Sequence, residues 1–286
     1  MTDPSIDYQM PNARYQHHPA LSASRAKKLL PPSTPAHLRY EMRFPRQFDL
    51  TASEVRIGSA VHAKLFGGAK VVVLDEYKDW RKADARAQRD GILAGEDVPL
   101  LEVENAVAVR MREALVNHPV ISQLVAEDRG DPEVSILWTD EETGVDCRAR
   151  IDWLPRKVPG QRLVVVDLKT TADSAHPGTF TRTAANLDYA FSAGWYLDGI
   201  EAIGMDEEPT FLHVVIEQRA PYLISLDWID PEDIAKAREL TAWTRRRYAQ
   251  CVATDEWPGY PTHITKVSMP TWWRIRADDI LEGTIA

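Results

Sequence analysis

The sequence predicts an α/β fold: a mixed β-sheet flanked by helices, with a helical lobe ahead of it. Three observations predict it. Most of the first 130 residues carry apolar positions at helical spacing. Between 131 and 171 the period changes, and three extended apolar runs follow one another across the turns "EETG" and "KVPGQ". Helical and extended segments then alternate to residue 252, the arrangement that builds helices against a sheet.

Residues 1–19 are polar and rich in Pro, His and Asn, and are expected to form a loosely held arm; 20–286 are expected to form one domain. "LSASRAKKLL" opens a helix with Ser22 or Ser24 as N-cap, and "PPSTP" stops it. Pro35 fits the first turn of the helix "PAHLRYEMRF". In "TASEVRIGSAVHAKLFGG", Val55, Gly58, Val61 and Leu65 recur at 3–4 spacing, and Gly67-Gly68 end the helix. "VVVLDEY" is a short strand. From Lys78 to Val125 the reading is helical, with Val103, Val107, Met111 and Leu115 on one face.

"DPEVSILWTD" and "VDCRARIDWLP" form a hairpin, and "RLVVVDLKTT" is a third strand, apolar on both faces and therefore central. "HPGTFTRTAANLDYAFSAGWYLDGIEAIG" is helical. "TFLHVVIEQ" and "YLISLDWI" are strands, and Asp230-Pro231 cap a long helix. The tail "WPGYPTHITKVSMPTWW" reads as irregular.

The totals exclude several classes. Of 286 residues, 44% are hydrophobic and 27% charged, an ordinary globular balance. No apolar run reaches the roughly 20 residues of a membrane span, and the first residues lack signal-peptide character, which predicts a cytoplasmic protein with no membrane partner. Two cysteines, Cys147 and Cys251, cannot make a four-cysteine cluster, and Cys147 reads as a buried, inert strand residue. No HxxxH or HExxH spacing supports zinc, and "LFGGAK" lacks the spacing of a phosphate-binding loop. A net charge of −9 weighs against nucleic acid, but "SRAKKLL", "CRAR" and "TRRRY" concentrate base locally.

The chemistry gathers on the three strands. Asp167 and Lys169 stand two apart in an extended run and so share a face. Asp152 is expected at the end of the preceding strand and Glu133 at the start of the one before. Each alone reads as a turn former, a surface acid or a structural ion pair. Together, three acids and a lysine suit a divalent cation with oxygen ligands and the hydrolysis of a phosphodiester. Arg148 and Arg150 share the face of Asp152 and either meet a DNA phosphate or balance the acids. Lys27, Lys28 and Arg245–Arg247 read as solvated helix faces.

"VVVDLKTT" after "CRARIDWLP" resembles the PD-(D/E)xK nuclease core, in the form of RecE-type exodeoxyribonuclease VIII and related phage exonucleases. "LSASRAKKLLPPSTPAHLRYE", "IGSAVHAKLF", "YAFSAGWYLDG" and "WPGYPTHITKVSMPTWW" match the pattern of that family in order, so the likeness spans roughly residues 15–275. The resemblance implies a PD-(D/E)xK core with His62, Asp152, Asp167 and the Leu168 carbonyl as metal ligands, Lys169 as catalytic lysine and Glu133 as a further acid. Without it, His62 reads as an ordinary helix histidine. Tyr196 corresponds to the tyrosine of a Gln-x-x-x-Tyr helix motif with a DNA-contacting role, whereas Ser192 replaces its glutamine.

The resemblance further implies Mg²⁺, with Mn²⁺ as substitute, and digestion of double-stranded DNA ends, 5′→3′, leaving a 3′ single strand for recombination. It implies a homo-oligomeric ring and a single-strand annealing partner. Ser192 keeps open a second class, a non-catalytic DNA-binding scaffold of the same fold, and the acids keep open a nuclease acting on single strands or RNA.

Overall fold

The computed structural model describes residues 4–44, 52–126 and 128–284. In chain order the elements are β1 (Ser5–Asp7), α1 (Asn12–His17), β2 (Leu21–Ser22), α2 (Ala23–Ala26, continued by one 3₁₀ turn), α3 (Pro35–Arg43), α4 (Ser53–Phe66), β3 (Val71–Leu74), α5 (Ala83–Ala94), β4 (Val98–Leu101), α6 (Glu102–Asn117) and α7 (Ile121–Leu124). Then come β5 (Gly130–Thr139), β6 (Asp146–Pro155), β7 (Val164–Thr171), α8 (Pro177–Asn186), α9 (Tyr189–Ala202), β8 (Thr210–Glu217), β9 (Ile224–Asp227), α10 (Pro231–Thr254) and α11 (Thr271–Leu281).

The main sheet runs β1-β5-β6-β7-β8-β9, with β2 added beside β6. It is mixed: β5, β6 and β7 form an antiparallel meander, β8 lies parallel to β7, and β9 returns antiparallel. The α8–α9 pair makes the crossover that a parallel β7–β8 neighbour demands. β7 is central and apolar on both faces, as its composition predicts. Val165 joins a core on one face with Trp195, Phe191 and Ile151, while Val166 and Leu168 join another with Ile57, Val61, Met111 and Leu115. α9 covers the first face and α4 with α6 the second.

Local chemistry explains the helix ends. The Ser22 hydroxyl accepts the Arg25 N–H, Pro35 begins α3, and Asp230 accepts the Glu232 N–H at the start of α10. Gly67 closes α4 at φ 85°, open to glycine and costly for other residues.

Three expectations are corrected. Residues 5–17 are not a loose arm: Ile6 pairs with Ile136 across β1 and β5, and Met10 and Tyr15 are buried (residues 1–3 lie outside the described residues). Val98–Leu101 is a strand rather than helix, paired in parallel with β3 and fully buried, a short apolar run that periodicity cannot separate from a helix. The inner face of α6 is Glu104, Ala108, Met111 and Leu115, with Val103 exposed, because Glu104 turns inward to cap α6 and pair with Arg56. The tail is irregular through Pro270, as expected, and α11 follows it from Thr271.

Candidate active site

Asp152 and Glu133 meet because of a local break in the hairpin. Pro132 pairs with Trp153 and Val134 with Ile151, so the register sets Glu133 opposite Asp152. Glu133 adopts φ 54°, left-handed backbone that is costly for a residue with a Cβ and recurs at functional sites. On the partner strand, alternation fails at the same level: Ile151 belongs to one core face, yet Trp153 belongs to the other, stacked on Phe66. Gly130 makes room for that indole, since a Cβ there would lie 2.7 Å from it.

β6 and β7 pair at Trp153–Val166 and then splay, and the Asp152 carboxylate accepts the Leu168 N–H at 2.9 Å. The sequence expectation that the acids terminate their strands is therefore corrected: both are interior to strands, and the splay brings them together.

His62 arrives from α4. Its Nε2 lies 3.0 Å from the Leu168 carbonyl oxygen, and its Nδ1 lies 3.6 Å from an Asp152 oxygen. α4 can approach β7 this closely because residue 58 is glycine; a Cβ there would stand 2.6 Å from the Thr170 hydroxyl. Gln218 fastens the contact, donating to the Glu54 carbonyl at 2.8 Å and the Thr170 hydroxyl at 3.1 Å. One ligand atom each from His62, Glu133 and Asp152 lie within 4.8 Å of one another. Asp167 is outside this trio, and its carboxylate is ion-paired with the Lys169 ammonium.

The electrostatics follow from this crowding. Burial pushes the Asp152 carboxyl up to about 6, with His62 opposing and Asp167 adding to the rise. Burial acts to lower the Lys169 ammonium, but Asp167 and Asp152 outweigh it and hold the lysine above its ordinary value. Acids that penalise one another's charge beside a histidine nitrogen and the Leu168 carbonyl oxygen form a donor set suited to a hard divalent cation such as Mg²⁺ or Mn²⁺. The residues present fit such an ion.

The predicted DNA-contacting residues divide. Arg150 lines the groove, pairs with Glu133 and donates to the Met10 carbonyl at 3.1 Å. Arg148 is buried, its guanidinium 4.5 Å from the Tyr15 ring centroid, packed inside the protein rather than presented to a phosphate. Tyr196 is half-buried on α9 against Phe211; burial and the nearby site acids push its phenol well above its ordinary value. Ser192 lies one turn earlier, half-buried.

Several site neighbours escape sequence reading. Lys27, expected on a solvated face, donates to the Leu187 carbonyl at 2.7 Å and lies 6.0 Å from the centroid of Tyr189, whose ring also receives Lys169 at 5.3 Å. Tyr8, Met10 and Asn12 line the groove beside His62, Glu133 and Lys169. The alternation of Ile6, Tyr8 and Met10 is the signal that could have found this N-terminal stretch.

Among solved structures, the fold is similar to a candidate exonuclease from Eubacterium rectale, at 12% identity, covering 92% of this chain and 96% of that one with a TM-score of 0.58. A second, SSO0001, matches at 12% identity over 67% of this chain and 84% of its own, with a TM-score of 0.28 that carries no argument. No curated protein matches the sequence. Residues 22–268 match the model of a family described as a PDDEXK-like domain of unknown function (DUF3799). With a mixed sheet whose β6 and β7 deliver Asp152, Asp167 and Lys169 to one splayed junction, the chain belongs to that PDDEXK-like family.

Proposed function

We propose that this protein is a divalent-metal-dependent nuclease, and more narrowly an exodeoxyribonuclease acting from the ends of linear double-stranded DNA. The observation that carries the reading is the meeting of His62, Glu133, Asp152 and the Leu168 carbonyl beside the Asp167–Lys169 pair. The E. rectale neighbour, a candidate exonuclease, is consistent with it.

In this reading His62, Asp152 and the Leu168 carbonyl hold the cation, with Glu133 beside them and Asp167 as the further ligand that the family resemblance implies. When bound, the ion would offset phosphate charge and make a water more acidic. Lys169, kept charged by Asp167 and Asp152, orients the attacking water and stabilises charge developing on the phosphate oxygens. Glu133 and Arg150 hold each other in place at the groove wall. The groove, about 880 Å³, is open enough to admit a strand. An acidic chain of net charge −9 can still bind DNA through such a local site, and a ring of subunits with an annealing partner belongs to the same proposal.

The second reading, a DNA-binding scaffold, is motivated by Ser192 in place of the motif glutamine. Intact converging acids disfavour it, because without a metal they only repel. End-labelled linear duplex incubated with Mg²⁺, Mn²⁺ or chelator separates the two. Metal-dependent release of nucleotides supports the nuclease; binding without release under every metal supports the scaffold. Circular duplex, single strands and RNA run in parallel test end dependence and substrate class.

A further inference from the structure

We propose that the N-terminal segment Ser5–His17, which precedes the family-matched region, forms a substrate-gripping wall of the groove, with Tyr8 stacking on a nucleobase of the strand led past the site. This rests on the nucleic-acid reading above and adds a contact outside the part of the chain that the family covers, residues 22–268.

Three independent observations place the segment in the site. β1 is hydrogen-bonded to β5, the strand that carries Glu133, and pairs Asp7 with Ser135 just two residues beyond it. The Met10 carbonyl accepts from Arg150, the partner of Glu133, so the segment is tied to the site's charged groups. Tyr15 is buried with its ring centroid 4.5 Å from the Arg148 guanidinium and 5.5 Å from that of Arg150, which anchors α1 over β6.

Held this way, the segment turns Tyr8, Gln9 and Asn12 to the same groove that His62 and Lys169 line from the other side. Tyr8 is 50% exposed, unlike the buried Tyr15 one helix on. Fixed backbone on both sides of an exposed ring makes a stacking platform that loses little freedom on binding. An aromatic face beside phosphate chemistry suits an unpaired base, since a ring can stack on any base only after it leaves the duplex. Gln9 and Asn12 offer amides to the same strand.

The test uses the full chain, Ca²⁺, and a duplex with a short single-stranded end carrying 2-aminopurine. Wild type and Tyr8→Phe are expected to quench the fluorophore, whereas Tyr8→Leu leaves it bright and weakens binding about 10-fold, within the loss expected for one base stack. Mn²⁺ affinity and melting temperature stay at wild-type values, which separates a substrate contact from a fold defect. Equal quenching and equal affinity for wild type and Tyr8→Leu overturn the inference while leaving the nuclease reading intact. A wild type that takes up Mn²⁺ but binds no DNA overturns that reading and this inference together.

Discussion

His62 bridges two strands: its Nδ1 stands 3.6 Å from Asp152 on β6 while its Nε2 stands 3.0 Å from the Leu168 carbonyl on β7. Both ring nitrogens are thus committed to groups that also suit a cation, and α4 locks them there. His62→Ala and Asp152→Asn should each weaken Mn²⁺ binding, measured by calorimetry, by more than the roughly 10- to 100-fold that outer partners of a metal site contribute. Asp152→Asn should also raise the melting temperature of the metal-free protein at neutral pH, because it removes a half-buried carboxylate that burial disfavours. Unchanged Mn²⁺ affinity in both variants would remove these residues from the proposed ligand set.

Lys169 contributes chemistry rather than metal affinity. Lys169→Met keeps the stem and removes the charge, so duplex binding and Mn²⁺ uptake should persist while hydrolysis falls by about 10²- to 10⁴-fold, the scale for a lost positioned proton-handling group. Asp167→Asn should act on the same step by releasing the lysine from its ion pair, and should lower Mn²⁺ affinity as well, since Asp167 is proposed as a further ligand. Single-turnover cleavage of end-labelled DNA reads this directly. Wild-type cleavage by Lys169→Met would overturn the assignment.

The sequence carried the strand order of the meander, the centrality of β7 and the sharing of a face by Asp167 and Lys169, because period-2 alternation encodes these locally. It did not carry the splay of β6 from β7 or the left-handed backbone of Glu133. Both lie beside the packing of Trp153 on Phe66, residues 87 positions apart, a tertiary contact that local periodicity does not encode. Lys27 was illegible for a related reason: its partner, the Leu187 carbonyl, is 160 residues away, and helix periodicity cannot tell a lysine facing water from one reaching into the α8–α9 corner. His62 was legible only through family resemblance, since nothing in "GSAVHAKL" sets it apart from any helical histidine.

Gly58 is where packing and chemistry meet. An alanine Cβ there would stand 2.6 Å from the Thr170 hydroxyl, so α4 must move off β7 and take His62 with it. Gly58→Ala should cost about 1–3 kcal/mol of stability, as overpacking does, and lower Mn²⁺ affinity as well. Removing the obstructing hydroxyl in Gly58→Ala/Thr170→Ala should restore affinity, because the Thr170 Cβ itself lies 3.8 Å away. A double variant no better than the single one would show that the close approach of α4 is not what places His62.

His213 gives the stability of the fold a pH signature. It is buried on β8 between Phe180, Tyr189 and Phe211, with ring centroids 5.4, 5.8 and 5.0 Å away, and burial pushes its imidazole down to about 4. Between that value and the ordinary 6.5, the unfolded chain takes up a proton that the native protein refuses, so unfolding is favoured as pH falls through this window. The stabilising neutral state is complete above about pH 6.5, and its loss reaches at most about 3 kcal/mol near pH 4. His213→Phe keeps an aromatic ring in the cluster and cannot take the proton. Chemical denaturation at steps from pH 7.5 to pH 4.5 should therefore show wild type losing stability more steeply than His213→Phe, whatever their difference at pH 7.5. Parallel pH dependences would mean that the imidazole is protonated as readily inside the protein as in water, which its enclosure by three aromatic rings argues against.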